Sequence, residues 1–339
     1  MRRFALWSAL VAAMSLASEA AIAQDRKSVF MVLWRGETRV EEGFRAYVAE
    51  KNLALDLEIV SLERDLSNLP STLEKIREAD PDLVYTWGTS TTLGIAGRDP
   101  NLASGPDDFP PQVLDKPIVF TMVSQPVRSR IVPELGPSGR NVTGVSHIIP
   151  METQLQAMQA YMPVDRVAVI YTDTEPNSVL AVEQLLDVGQ EIGIKVDAYP
   201  VPLDSTGAPD PLVLPQMVQD AAAAGPQFLY MGPDSFIGQY AKIVTDAANE
   251  LQLATFASTE RTLASSDSLY GLVAPYTEVG RLTAQKVEAV LFEGKDPSEV
   301  PVDTLQRFSY QVRIDVAREI GVYPAMSLMD YAEIIDWGQ

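Results

Sequence analysis

Cysteine is absent from all 339 residues, and histidine occurs once. The first absence excludes a disulfide framework, a thiolate metal site and a cysteine nucleophile. It also excludes a lipid anchor carried on a cysteine just after a leader. The second leaves only His147 for a Ser-His-Asp constellation, and His147 reads as structural. No Gly-x-Gly-x-x-Gly follows the first apolar run, and there is no Walker loop. Neighbouring acids such as Glu41-Glu42 and Asp107-Asp108 lie on polar stretches and read as solvated. No His, Cys and Asp cluster suggests a transition metal, and no cofactor is expected. Positive charge is scarce too: 26 Lys and Arg against 46 Asp and Glu give a net charge of −20. So acidic a surface repels nucleic acid and anionic lipid, and neither is an expected partner.

Apolar runs of membrane length are also missing. The longest, residues 6–17, follows Met1-Arg2-Arg3 and has the length of a signal-peptide core. Ala21-Ile22-Ala23 then supplies a small-residue cleavage pattern. Residues 1–23 are therefore expected to be a secretory signal peptide, with the mature chain starting near Gln24. Cleavage removes Arg2, Arg3 and Glu19 and leaves the chain more acidic still. An exported protein without a lipid anchor is expected to be free in its compartment, the periplasm of a Gram-negative bacterium fitting best. With 46% apolar residues the chain is globular, not a disordered acidic tail. About 315 mature residues suggest two domains.

What is present is an alternation. SVFMVLW reads as a strand and RVEEGFRAYVAEKN as a helix with Val40, Phe44, Tyr47 and Val48 on one face. LDLEIVSL, LPSTLEKIREAD, DLVYTWG, STTLGIAGR (with Ser90 as its cap) and PIVFTMV continue the series. This is the pattern of a parallel sheet covered on both faces by helices. Residues 99–115, rich in proline and aspartate, interrupt it and read as a lid or rim. The series restarts near Thr143 and runs through RVAVIYT, QFLYMG, LATFAS and LYGLVAP, with DSFIGQYAKIVTDAANELQ as one helix between. Two doubly wound α/β domains explain the two runs better than one very wide sheet.

Gly139-x-Asn141-x-Thr143-Gly144-Val145, the helix pair Gln154-Leu155 and the turn Glu175-x-Asn177-Ser178 resemble the ABC-transporter substrate-binding proteins of the tryptophan/tyrosine type. The likeness covers nearly the whole mature chain. It departs at Thr172-Asp173-Thr174-Glu175, where the family usually has Asn-Pro-Gly-Glu, and in the 99–115 loop. The resemblance implies the type I periplasmic binding protein fold: two Rossmann-like lobes with parallel sheets, joined by three crossover strands. Residues 24–143 plus 274–302 would form lobe 1, 144–273 plus 303–325 lobe 2, and 326–339 a C-terminal extension. Crossings are expected near Thr143, Ala274 and Asp303. The implied function is capture of a small molecule between lobes that close on a hinge, followed by docking on an inner-membrane ABC permease; a monomer is expected. A sensor of the same fold, signalling to a membrane kinase or chemoreceptor, is the alternative, and an enzyme has little support.

In such a fold the carboxyl ends of the strands face the cleft. Gly88-Thr89-Ser90 lies between a strand and a helix start that favours an anion. Ser124 and Gln125 end the next strand. Thr174, Glu175, Asn177 and Ser178 open a helix on the other lobe, as do Asp234 and Ser235, and Glu260 follows LATFAS. Hydroxyls on one lobe and carboxylates on the other suit an amino acid, with Trp34, Trp87 and Tyr276 as flat walls or a cation–π face.

Overall fold

The computed structural model describes residues 26–102 and 109–335. The expected signal peptide, part of the 99–115 loop and the last residues of the chain lie outside them. The chain first runs β1 (Lys27–Leu33), α1 (Arg39–Glu50), β2 (Leu55–Ser61), α2 (Leu69–Ala79), β3 (Leu83–Trp87), α3 (Thr89–Ala96), β4 (Ile118–Thr121) and β5 (Val142–Ser146). It continues through α4 (Met151–Tyr161), β6 (Arg166–Tyr171), α5 (Pro176–Ile192), β7 (Lys195–Pro200), α6 (Leu214–Ala223), β8 (Phe228–Met231), α7 (Ser235–Gln239), α8 (Ala241–Glu250), β9 (Ala254–Ala257), α9 (Glu260–Ala264) and β10 (Tyr270–Val273). It ends α10 (Tyr276–Leu291), β11 (Asp303–Thr304), β12 (Ser309–Arg313), α11 (Ile314–Ile320), α12 (Met326–Met329) and β13 (Glu333–Ile335). None of the helices in the described residues is long and apolar enough to cross a membrane.

Two sheets result, ordered β11-β5-β4-β3-β1-β2 and β13-β12-β10-β9-β8-β6-β7. All the described pairings are parallel except β10 with β12, which is antiparallel. β1 and β3 are continuous apolar runs because helices cover both faces of their sheet. Phe44 of α1 and Val279 of α10 pack on one face, and Leu73 and Ile76 of α2 with Leu93 of α3 on the other. The second sheet is built likewise: α4, α5 and α11 bury one face, α6 and α8 the other.

The helix expected over residues 39–52 is α1, which ends at Glu50 and begins where its sequence says it should. Thr38 Oγ1 accepts from Val40 N at 3.2 Å, and the Glu41 carboxylate accepts from Thr38 N at 2.8 Å, a reciprocal cap. α1 and α10 touch through glycines: a Cβ at Gly43 would overlap the Thr277 carbonyl, and one at Gly280 the Val40 carbonyl. This crossing ties the returning chain to the first sheet.

The chain leaves the first sheet after Ser146: Val142, Thr143 and Gly144 pair in register with Ile118, Val119 and Phe120 of β4. The chain returns after Val273 and crosses again after Thr304. The segment expected as an extension carries β13, which pairs with β12 at the sheet edge while Tyr331 packs edge-on against Tyr310 at 5.2 Å. The single helix expected over residues 234–252 is two, α7 and α8, broken at Tyr240.

Candidate functional site

Helices leave β1 and β3 toward opposite faces of the first sheet, so a crevice opens between the carboxyl ends of these neighbouring strands. The corresponding crevice in the second sheet lies between β6 and β8. The two crevices face each other across a cavity of about 60 Å³. One wall is Trp34 and Arg35 after β1, Trp87 through Ser90 at the β3–α3 junction, and Ser124 after β4. The other is Asn177, Asp234 and Ser235, with Thr259 and Arg261 at α9; His147 and Tyr276 close the hinge side.

α3 begins at Thr89, one residue earlier than Ser90, which is buried inside its first turn. Its N-cap is Gly88, at φ +85°, a conformation that side-chain-bearing residues avoid. No side chain caps this helix, so the positive end of its dipole and its first N–H groups border the cavity.

Arginine dominates the electrostatics. Arg35 is only 8% exposed, and its guanidinium lies over the Trp87 ring at 4.5 Å from the centroid. Burial pulls its pKa down to about 10, and Arg261 and Arg64 push the same way. Arg261 is lowered by burial and by Arg64. Nε of both Arg35 and Arg261 lacks a hydrogen-bond partner, and neither guanidinium is in an ion pair among the described residues. Trp87 Nε1, Thr89 Oγ1 and His147 Nδ1, also on the cavity wall, are buried without partners. Burial, with Arg35 nearby, drives the His147 pKa down to about 3, so the imidazole is neutral at ordinary pH; it meets Tyr276 edge-on at 6.3 Å. A buried cation in no ion pair among the described residues, beside orphaned donors and a helix N-terminus, is an arrangement that calls for an anion.

Of the residues expected from sequence, Trp34, Trp87, Gly88, Thr89, Ser90, Ser124, Asn177, Asp234, Ser235 and Tyr276 border the cavity. Gln125, Thr174, Glu175, Ser178 and Glu260 do not. Gln125 instead donates across the lobes to Gln184. Thr174 is exposed at a separate surface groove. Ser178 Oγ donates to Asp234 at 2.6 Å. The Glu175 carboxylate accepts Ser235 N at 3.0 Å and Phe236 N at 3.2 Å, and burial, then Asp234, raises its pKa. Glu260 pairs with Arg39 and accepts Tyr276 N, both on the opposite lobe. Asp234 reaches the cavity wall, yet its oxygens are taken by Ile237 N at 2.8 Å, Thr172 N at 2.7 Å, Thr172 Oγ1 at 2.8 Å and Ser178 Oγ at 2.6 Å. The carboxylates thus satisfy backbone donors at buried loops and helix starts, which have no other partner within reach. The face of Trp87 is likewise occupied, by Arg35.

Sequence reasoning missed Arg35, Arg261 and the cavity position of His147. A usable signal existed for the first: a basic residue directly after the first buried strand of an acidic chain. The lobes are held together around the cavity by Arg39–Glu260, Gln125–Gln184 and Arg128–Asp187, the last at 3.0 Å. A roomier groove, about 630 Å³ beside Tyr47 and Lys286, lies away from both crevices; its Lys286 is paired with Asp303 and it holds none of the orphaned atoms.

A family model described as ABC transporter substrate binding protein matches residues 40–334. The chain is 24% identical over 277 residues to a tyrosine-binding protein of Clostridioides difficile, covering 81% of this chain and 73% of that one. Among solved structures it is similar to an ABC domain in complex with L-Trp from Streptococcus pneumonia, with 20% identity, TM-score 0.74 and coverage of 91% and 100%. It is also similar to a ligand-free, open substrate-binding protein from Clostridium difficile, with 18% identity, TM-score 0.67 and coverage of 91% and 99%. The fold is that of the type I periplasmic binding proteins.

Proposed function

The chain belongs to the family of ABC transporter substrate binding proteins, and on that premise we propose that it is a periplasmic receptor whose interlobe cavity captures an amino acid or related compound. The family is one of binding proteins, not enzymes, that hand a small molecule to a transporter outside the cytoplasm. The observation that carries the ligand reading is the unpaired Arg35 guanidinium beside the uncapped start of α3. A ligand carboxylate there would neutralise the cation and take up orphaned donors. Trp34 and Tyr276 would flank its apolar part. Relatives named for tyrosine and solved with L-Trp support an aromatic side chain.

The cavity of about 60 Å³ is too small for a ring, since a benzene-sized guest needs roughly 150 Å³. Entry therefore requires the lobes to part about the three crossings and re-close, the hinge motion of two-lobed binding proteins. Export by cleavage near Gln24, a monomeric state and docking of the closed form on an inner-membrane permease complete the proposal. Isothermal calorimetry of the mature chain against aromatic amino acids, related acids, sugars and nucleosides tests it. One-site binding of an amino acid or related acid, lost when Arg35 is replaced, is the expected result. Binding of a sugar or nucleoside alone would overturn the ligand reading.

A further inference from the structure

We infer that the molecule this cleft is built to hold is an organic carboxylate without an ammonium group, a 2-oxo acid or similar acid in place of the amino acid itself. The inference rests on the cleft being the ligand site and narrows the compound that fits it. Recognition of an amino acid needs two opposite features: donors for the carboxylate and a charged or strong acceptor for the ammonium. The first is present in excess. Arg35 and Arg261 both border the cavity with Nε unpartnered, Arg64 acts on both from nearby, and the helix start at Thr89 adds to the positive field.

The second feature is weak among the described residues: a carboxylate free of other partners does not line the cavity, and the acceptors left are neutral, the Asn177 amide oxygen among them. Asp234, the one carboxylate that lines the cavity, already takes four donors, Thr172 N, Thr172 Oγ1 and Ser178 Oγ on Oδ2 and Ile237 N on Oδ1, so little of its charge is left for an ammonium. Glu175 and Glu260 lie behind the wall and hold backbone N–H groups. Pro233 O accepts from the Asn177 amide. Thr259 Oγ1 caps its own helix at Thr262 N. His147 offers a neutral nitrogen, but it stands near enough to Arg35 to be shifted by that charge. An ammonium would thus enter beside like charges and face only a carboxylate already engaged by four donors, whereas an amine-free acid meets the arginines and the helix start.

Matched pairs that differ in the ammonium test this directly: 4-hydroxyphenylpyruvate against L-tyrosine, phenylpyruvate against L-phenylalanine, and pyruvate against L-alanine. They are titrated calorimetrically into the mature protein after unfolding and refolding to strip any carried ligand. In parallel, mass spectrometry identifies what protein from its native source releases. The acid of at least one pair should bind ten-fold or more tightly than its amino acid. Arg35→Gln should narrow that ratio, a change that general damage to the fold would not produce. The released molecule should be an acid lacking an amine. Equal or tighter binding of the amino acid in every pair, or a released molecule with an ammonium, overturns the inference and leaves the receptor function standing. Failure of every acid to bind, with release of a neutral sugar or nucleoside, overturns both.

Discussion

Replacing Arg35 with methionine separates ligand recognition from stability. Methionine keeps an unbranched side chain to cover the Trp87 ring and removes the charge. In the bound state Arg35 is expected to make a charge-assisted hydrogen bond to the ligand, an interaction contributing about 1.5–3 kcal/mol. At 1.4 kcal/mol per factor of ten, the dissociation constant should rise roughly 10- to 150-fold. In the free state the effect has the opposite sign. Arg35 is 8% exposed, stands near two other arginines and is in no ion pair among the described residues, so its charge destabilises the empty protein. The Arg35→Met variant should therefore melt at the same temperature as the parent or higher without ligand, and should gain less from ligand. Calorimetry and thermal melting, each with and without ligand, read the two effects. Unchanged affinity together with a lower melting temperature would refute the reasoning, because Arg35 would then be a structural residue.

The same arginine sets a pH limit. Its pKa is pulled down to about 10, so the cation is present below that pH and lost as pH rises through it; affinity for an amine-free acid should decline above about pH 10. His147, held at about 3, is neutral from pH 5 to 8, so His147→Gln should leave the pH dependence of binding across that range unchanged; a slope near pH 6.5 in calorimetric titrations of the parent that the variant loses would contradict this. Glu260→Ala removes the tie from α9 to Arg39 and Tyr276, so small-angle scattering of the ligand-free variant should give a larger radius and affinity should fall several-fold. Gly280→Ala forces apart the α1–α10 crossing and should cost about 1–3 kcal/mol, seen in denaturant melts, with ligand preference unaltered.

The alternation of buried strands and amphipathic helices carries the architecture, because a doubly covered parallel sheet requires continuous apolar runs such as VFMVL and IVFT. Gly88-Thr89-Ser90 was legible as a cavity edge for a similar reason: a glycine between a buried strand and a helix marks the tight turn at the crevice. The carboxylates were not legible. An Asp at a helix start can face a ligand or its own helix, and only the positions of Thr172, Ser178 and Ile237 around Asp234 decide. Arg35 and Arg261 come together only when both lobes are in place, since they lie on opposite lobes far apart in sequence. The break at Tyr240 also leaves no mark in the hydrophobic period, because Ile237, Ala241 and Val244 stay buried on one face through it.

In the proposed complex an anionic group of the ligand sits between the lobes against Arg35 and the first turn of α3. A crystal structure of the mature protein purified from its native source, with the small molecule it carries, tests this most directly. A carboxylate is expected within hydrogen-bond distance of the Arg35 guanidinium and of the Thr89 or Ser90 N–H, in a closed cleft. An uncharged group or an ammonium at that position, or a ligand bound outside the cleft, would contradict it.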